Sequence, residues 1–182
     1  AGVFSEARFA EMLGVRHAIA CASGTAAVHL GVAAVDPEPG DEIVTTPITD
    51  MGALSPILYQ GAIPVFADVD QHLLLDLESA RSALTGRTRA VIAVDLYGQM
   101  VEPLAAEAFA HAHGLTLIED AAQSVGAEAG GRSAGATGTL SCCSFDPTKT
   151  IAAPGSGGAV LCDDDELADR LRRLRWHGRD IA

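Results

Sequence analysis

AVIAVDLYGQMVEPLAAEAFAHAHGLTLIED, residues 90–120, places an amphipathic stretch between two apolar runs that each end in an acid. AVIAVD (90–95) and LTLIED (115–120) are short and apolar on both alternating faces, the pattern of strands covered from both sides. EPLAAEAFAHAHG (102–114) has proline near its acidic start, alanine through its middle and glycine at its end, which predicts a helix. Two buried strands joined by a helix make a parallel unit.

The same alternation continues in both directions. Further strand-like runs are AIAC (18–21), EIVTT (42–46), IPVFAD (63–68), TLSCCSF (139–145) and GGAVLC (157–162). Helical stretches lie between them at 25–35, about 51–60, 77–84 and, beyond the last strand, 166–178, with Gly178 as the expected stop. The whole predicts an α/β fold, a mostly parallel seven-stranded sheet with helices on both faces.

Bulk properties narrow the function. A net charge of −12 argues against a nucleic-acid partner, which needs a basic face. The basic cluster RLRRLRWHGR (170–179) reads as the second half of a helix that begins acidic at DDDELAD, an order that suits the helix dipole. No apolar run approaches the roughly 20 residues that span a bilayer, and the start lacks the pattern of a signal peptide. Cys21, Cys142, Cys143 and Cys162 lack C-x-x-C spacing and fall in strand-like runs. They read as small core residues of a protein in a reducing compartment, the cytoplasm. The six histidines form no metal-ligand pattern.

Ligands of open parallel sheets sit beyond the carboxyl ends of the strands, so polar residues there are the candidates. Ser23-Gly24-Thr25 follows the first strand and opens a helix, where free N–H groups and a hydroxyl suit a phosphate, although taken alone the triplet is better explained as an ordinary helix cap. Asp120 ends a strand and either caps the next helix or holds a cation such as a protonated pyridine nitrogen. Gln123 is expected in the first turn of that helix, within reach of the same pocket. Ser144 and Lys149 bracket the loop SFDPTK, and Lys149 is the single lysine of a chain whose other cations are arginines. Only a primary amine can lose its proton near neutral pH and condense with a carbonyl. Phosphate donors, one carboxylate and one amine are the parts of a pyridoxal 5'-phosphate site, and one ligand accounts for all of them.

These segments also resemble the DegT/StrS-type pyridoxal-phosphate-dependent nucleotide-sugar aminotransferases, of the aspartate aminotransferase superfamily and fold type I. The resemblance runs through FAEMLGVRHAIACASGTAAVHLGVAA, GDEIVTTP, AVIAVDLYGQ and LTLIEDAAQ to SFDPTKTIAAPGSGG. It implies Lys149 as the catalytic Schiff-base lysine, Asp120 as partner of the pyridine nitrogen and Gln123 beside the ring hydroxyl. Gly24, Thr25 and Ser144 would hold the phosphate. It further implies a homodimer, a small-molecule keto sugar and an amino donor such as glutamate or glutamine. Residues 1–182 would form the cofactor-binding large domain, without the small C-terminal domain of longer relatives. The family pattern has an aromatic residue shortly after the T-P of the second strand, where it stacks on the cofactor ring. TTPITDMGAL (45–54) offers only Asp50 or Met51 there. A dehydratase on the same scaffold, a cyclitol aminotransferase and a non-catalytic dimerisation or regulatory module are the other readings. In the dehydratase branch the lysine is replaced, so Lys149 favours amino transfer.

The G-x-S-x-G spelling at 131–135 is not a nucleophile elbow, because a glycine-rich loop precedes the serine and a strand follows. No P-loop pattern occurs. GSGG (155–158) reads as a turn into the last strand.

Overall fold

A computed structural model describes residues 5–179. Every expected strand is present: β1 (His17–Cys21), β2 (Glu42–Thr45), β3 (Ile63–Phe66), β4 (Thr88–Val94), β5 (Thr116–Asp120), β8 (Leu140–Ser144) and β9 (Gly158–Cys162). They form one sheet in the order β1-β9-β8-β5-β4-β2-β3. Contacts from β3 through β2, β4 and β5 to β8 are parallel, whereas β9 runs antiparallel to both β8 and β1. β1 therefore points the same way as β8, and the carboxyl ends of β1, β2, β4, β5 and β8 share one edge of the sheet.

The helices are α1 (Glu6–Leu13), α2 (Gly24–Val35), α3 (Met51–Tyr59), α4 (Leu77–Ala83), α5 (Pro103–His113) and α6 (Asp165–Arg175). Local chemistry sets their starts: Ser5, Ser23, Asp50, Asp76, Glu102 and Asp164 each accept a backbone N–H of the first turn. Both faces of the sheet are covered. Ile19, Cys142 and Val160 pack with Val28 and Val32 of α2 and Leu171 of α6, while Ala18, Cys143 and Leu161 pack with Phe9 and Leu13 of α1. The cysteines are unpaired thiols in or at the edge of this core.

Four details depart from the sequence expectation. α1 is an additional helix. α6 ends at Arg175, before the expected stop; His177 and Gly178 are both in the left-handed region, and the Gly178 N–H donates to the Arg173 carbonyl at 2.8 Å. No helix follows β5, where residues 122–126 form turns. A short hairpin, β6 (Glu128–Ala129) with β7 (Arg132–Ser133), turns through Gly130 and Gly131, both at positive φ as a tight two-residue hairpin requires. Ser133 lies in that hairpin, away from any strand-to-helix elbow. Among the described residues no helix is long and apolar enough to cross a membrane, and no cluster of side chains is arranged to hold a metal ion.

Candidate active site

A cavity of about 300 Å³ opens at the shared edge of strand ends. Gly24, Thr25, Asp120, Gln123, Ser144 and Lys149 all line it. They come from the ends of β5 and β8, the start of α2 after β1 and the loops that follow β5 and β8, so sequence positions far apart meet only because those strands run in the same direction.

The α2 side is built by close approach. A Cβ on Gly24 would lie 2.6 Å from Cβ of Ser144 and 2.9 Å from its Oγ. Gly158, where β9 begins, lies closer still to the chain entering α2: a Cβ there would sit 2.3 Å from the carbonyl oxygen of Ser23. Two glycines thus let the start of α2, the end of β8 and the start of β9 touch backbone to backbone. Ser23 caps α2 through Ala26 N–H at 3.1 Å. The N–H groups of Gly24 and Thr25, in the first turn, have no intrahelical acceptor. Together with the hydroxyls of Thr25 and Ser144 they form a donor set suited to a phosphate at the positive end of a helix dipole.

Asp120 is buried at 6% exposure. Its Oδ1 accepts the N–H of Ala122 at 3.1 Å, so it organises the turns after β5 rather than capping a helix. Burial pushes its pKa up to about 6, against the lowering effects of that hydrogen bond and of the Lys149 charge. Its carboxylate is a buried anion with unspent accepting capacity, the environment in which a cationic ring nitrogen is well held. Gln123 lies in the turns, not in the expected helix, and its Oε1 accepts the N–H of Tyr97 at 3.4 Å. Tyr97 itself is in the left-handed region at φ 55°.

Lys149 stands on a tight turn. Asp146 accepts the N–H of Thr148 at 3.0 Å and its hydroxyl at 2.7 Å, and the Asp146 carbonyl accepts the Lys149 N–H at 2.9 Å. Those Thr148 bonds, with a smaller contribution from Lys149, hold the Asp146 carboxyl below its ordinary pKa. Asp50, Asp95 and Asp146 join Asp120 around the cavity, leaving Lys149 as its one cationic side chain among the described residues. Met51 is 63% exposed and does not line the cavity; Asp50 and Gly52 do. Among the described residues, no aromatic side chain lines it. Sequence reasoning passed over Thr49, Thr148 and Ser156. Their only signal was position, in loops that follow β2 and β8.

Fold and cavity together define an α/β protein of fold type I, with its site in the crevice beyond a mostly parallel sheet. The chain belongs to the DegT/DnrJ/EryC1/StrS aminotransferase family, whose model matches residues 4–182. It is similar to the UDP-N-acetyl-3-dehydro-alpha-D-glucosamine 3-aminotransferase of Acidithiobacillus ferrooxidans and to a pleiotropic regulatory protein of Geobacillus stearothermophilus. Each is 42% identical over 174 residues, 95% of this chain and 47% of the relative. Among solved structures it is similar to S. venezuelae DesV, with a TM-score of 0.93 at 38% identity, over 97% of this chain and 48% of that one. The chain spans about half the length of the curated relatives it matches.

Proposed function

We propose that the chain is the cofactor-holding part of a pyridoxal-phosphate-dependent aminotransferase that moves an amino group from glutamate or glutamine onto a keto sugar, carried by a nucleotide. The observation that supports this most directly is the meeting of the lone lysine, a buried carboxylate and a helix-start donor set in one cavity. That set fits pyridoxal phosphate: one phosphate cradle, one anion for a ring nitrogen and one amine.

When bound, the cofactor supplies an electron sink for the bonds at the amino carbon. The residues of this chain do the rest. Gly24 and Thr25 N–H groups and the Thr25 and Ser144 hydroxyls bind the phosphate and fix the orientation of the ring. The Asp120 carboxylate would hold a proton on the pyridine nitrogen, and Gln123, lining the same cavity, would offer its side chain to the ring hydroxyl. Lys149 Nζ takes a proton from the donor's amino carbon and returns one on the other side of the exchange. Its amine supports amino transfer over dehydration, because a base that also captures the cofactor must be a primary amine. Among the described residues, no aromatic side chain lines the cavity to stack on the ring.

The reading extends to self-association as a homodimer in the cytoplasm, supported by the family and by four unpaired cysteines. Light scattering of the purified protein tests the dimer. The chemical test is incubation with pyridoxal phosphate, borohydride reduction and peptide mass spectrometry, beside Lys149→Ala. Stable attachment to Lys149, absent in the variant, is the expected outcome. A folded protein that captures no cofactor would overturn the reading and favour a scaffold or regulatory module.

A further inference from the structure

Behind the strand ends, β4 and β5 hold a second pair of acids that the proposed chemistry leaves unused. Asp95 is 2% exposed and Glu119 1%. Glu119 lies opposite Ala93 in the parallel register, and strand alternation brings Asp95, two residues beyond Ala93, to the same face. Each acid has one oxygen committed elsewhere. Asp95 Oδ1 accepts the Val101 N–H at 2.9 Å. Glu119 Oε2 accepts the N–H groups of Gly135 at 3.1 Å and Thr137 at 3.0 Å, together with the Ser141 hydroxyl. Among the described residues, the remaining oxygens, Asp95 Oδ2 and Glu119 Oε1, are buried and have no hydrogen-bond partner. The two carboxyl groups act on each other's protonation. Two ionised carboxylates would leave both of these oxygens without a donor, and a proton on one of them supplies it.

We infer that Asp95 and Glu119 share one proton, carried on Asp95 Oδ2 and directed at Glu119 Oε1, and that the pair positions Asp120 from behind. The proton belongs on Asp95 because Glu119 already receives three donors and Asp95 only one. Burial, and next the Glu119 charge, push the Asp95 pKa up to about 9. Burial also raises Glu119, opposed by its hydrogen bonds from Ser141, Asp95, Thr137 and Gly135. The other titratable groups whose charges act on the pair are Asp120 and the buried thiols of Cys142 and Cys143, which burial keeps protonated. A pair that shares one proton carries a single negative charge.

The backbone of Asp95 joins the pair to Asp120. The Asp95 N–H donates to the Asp120 carbonyl at 3.0 Å, and the Asp95 carbonyl accepts the Ser124 hydroxyl at 2.8 Å. Through Val101 on one side and the 135–141 segment on the other, the pair ties the loops after β4 and β5 to one buried point. The importance of Asp120 rests on the function proposed above; the shared proton does not.

A double-mutant cycle tests the pair in the cofactor-free protein. In Asp95→Asn the amide donates where the acid did. In Glu119→Gln the amide donates to an ionised Asp95. Each single variant therefore keeps one N–H facing one oxygen. The double variant sets NH2 against NH2, because the outer oxygens must keep serving Val101 and the 135–141 donors. Urea denaturation should show the double variant's folding equilibrium constant about tenfold or more below the product of the single effects. A 13C-carboxyl titration by NMR is the second readout. Asp120 should titrate in Asp95→Asn where it does in the wild type, since Asp95 has no charge to lose, and should titrate lower in the double variant. If the double variant is too unstable to titrate, the cycle has already shown the coupling. Additive stabilities, or an Asp120 titration that falls in Asp95→Asn alone, would overturn the inference. Coupling without capture of pyridoxal phosphate by the wild type would remove the proposed function and leave the pair standing. Capture with additive stabilities would do the reverse.

Discussion

β4 and β5 on one side and β8 and β9 on the other reach the same cavity by opposite kinds of connection. The parallel strands β4 and β5 must be joined by a crossover, and α5 fills it. β9 returns antiparallel beside β8, so residues 145–157 need not cross the sheet and are free to fold as a loop. That freedom makes the Asp146–Lys149 turn possible. It also brings Gly158 against Ser23 and so locks β9 to the start of α2. The parallel half supplies a rigid floor with Asp120 at its rim, and the antiparallel edge supplies the amine and helps form the phosphate cradle. Stability and site chemistry are thus concentrated in different halves, and substitutions can separate them.

The largest expected effect falls in the parallel half. Ile118 in β5 is fully buried, and Ile118→Ala should cost about 4 kcal/mol of stability by opening a cavity at the sheet centre. Thermal or urea unfolding measures this, and the folded fraction should still capture pyridoxal phosphate. Gly158→Ala comes next, at about 3 kcal/mol, because the new methyl meets backbone that cannot retreat without parting α2 from β9. Here the folded fraction should lose cofactor capture as well. Equal capture by both variants would end the division between the halves.

Asp120→Asn sharpens the comparison, because it should separate stability from binding in one residue. The folded pKa of about 6 lies above the ordinary 3.8 of an aspartic acid. Between those values the folded protein retains a proton that the unfolded chain releases. The stability associated with Asp120 is therefore fully present below about pH 4 and lost as pH rises through about 6. The total is about 3 kcal/mol. Asp120→Asn has no such loss, so its stability relative to the wild type should improve between pH 4 and 7. Its affinity for pyridoxal phosphate at pH 7 should fall by about 2 kcal/mol, roughly 30-fold, as the charged partner of the ring nitrogen disappears. Wild-type affinity should itself weaken as pH drops below about 6. An unchanged affinity in the variant would remove Asp120 from the site.

The sequence exposes the parallel half more fully than the edge. Runs such as AVIAVD and LTLIED declare themselves because both faces are buried. GGAVLC has the same appearance whether it runs parallel or antiparallel, so the reversal of β9 is invisible until partners are known. The capping signals of α1, Ser5 and Gly14, stand in the sequence, but a helix of two turns leaves only a short apolar period to read. The turns after Asp120 defeated the expectation of a helix because the Asp120 side chain takes the Ala122 N–H locally and Ala121 is drawn fully into the core. The six candidate site residues were legible from chemistry at strand ends, Lys149 most of all through its isolation in composition. Asp95 and Glu119 were not, since only the strand register makes neighbours of acids so far apart in the chain.

Ser144 gives the smallest expected effect and the finest division between the halves. It ends β8, and its Oγ is only weakly engaged, accepting the Asp146 N–H at 3.4 Å. Removing that hydroxyl leaves the Gly24 contact with Cβ intact, so Ser144→Ala should change stability by less than about 0.5 kcal/mol. If the hydroxyl is a phosphate donor, affinity should fall by about 1 kcal/mol, roughly fivefold, for pyridoxal phosphate. Pyridoxal without the phosphate should bind wild type and variant alike. Equal losses for the two ligands would mean that Ser144 shapes the Lys149 turn rather than the cradle, and the edge of the sheet would then contribute the amine alone.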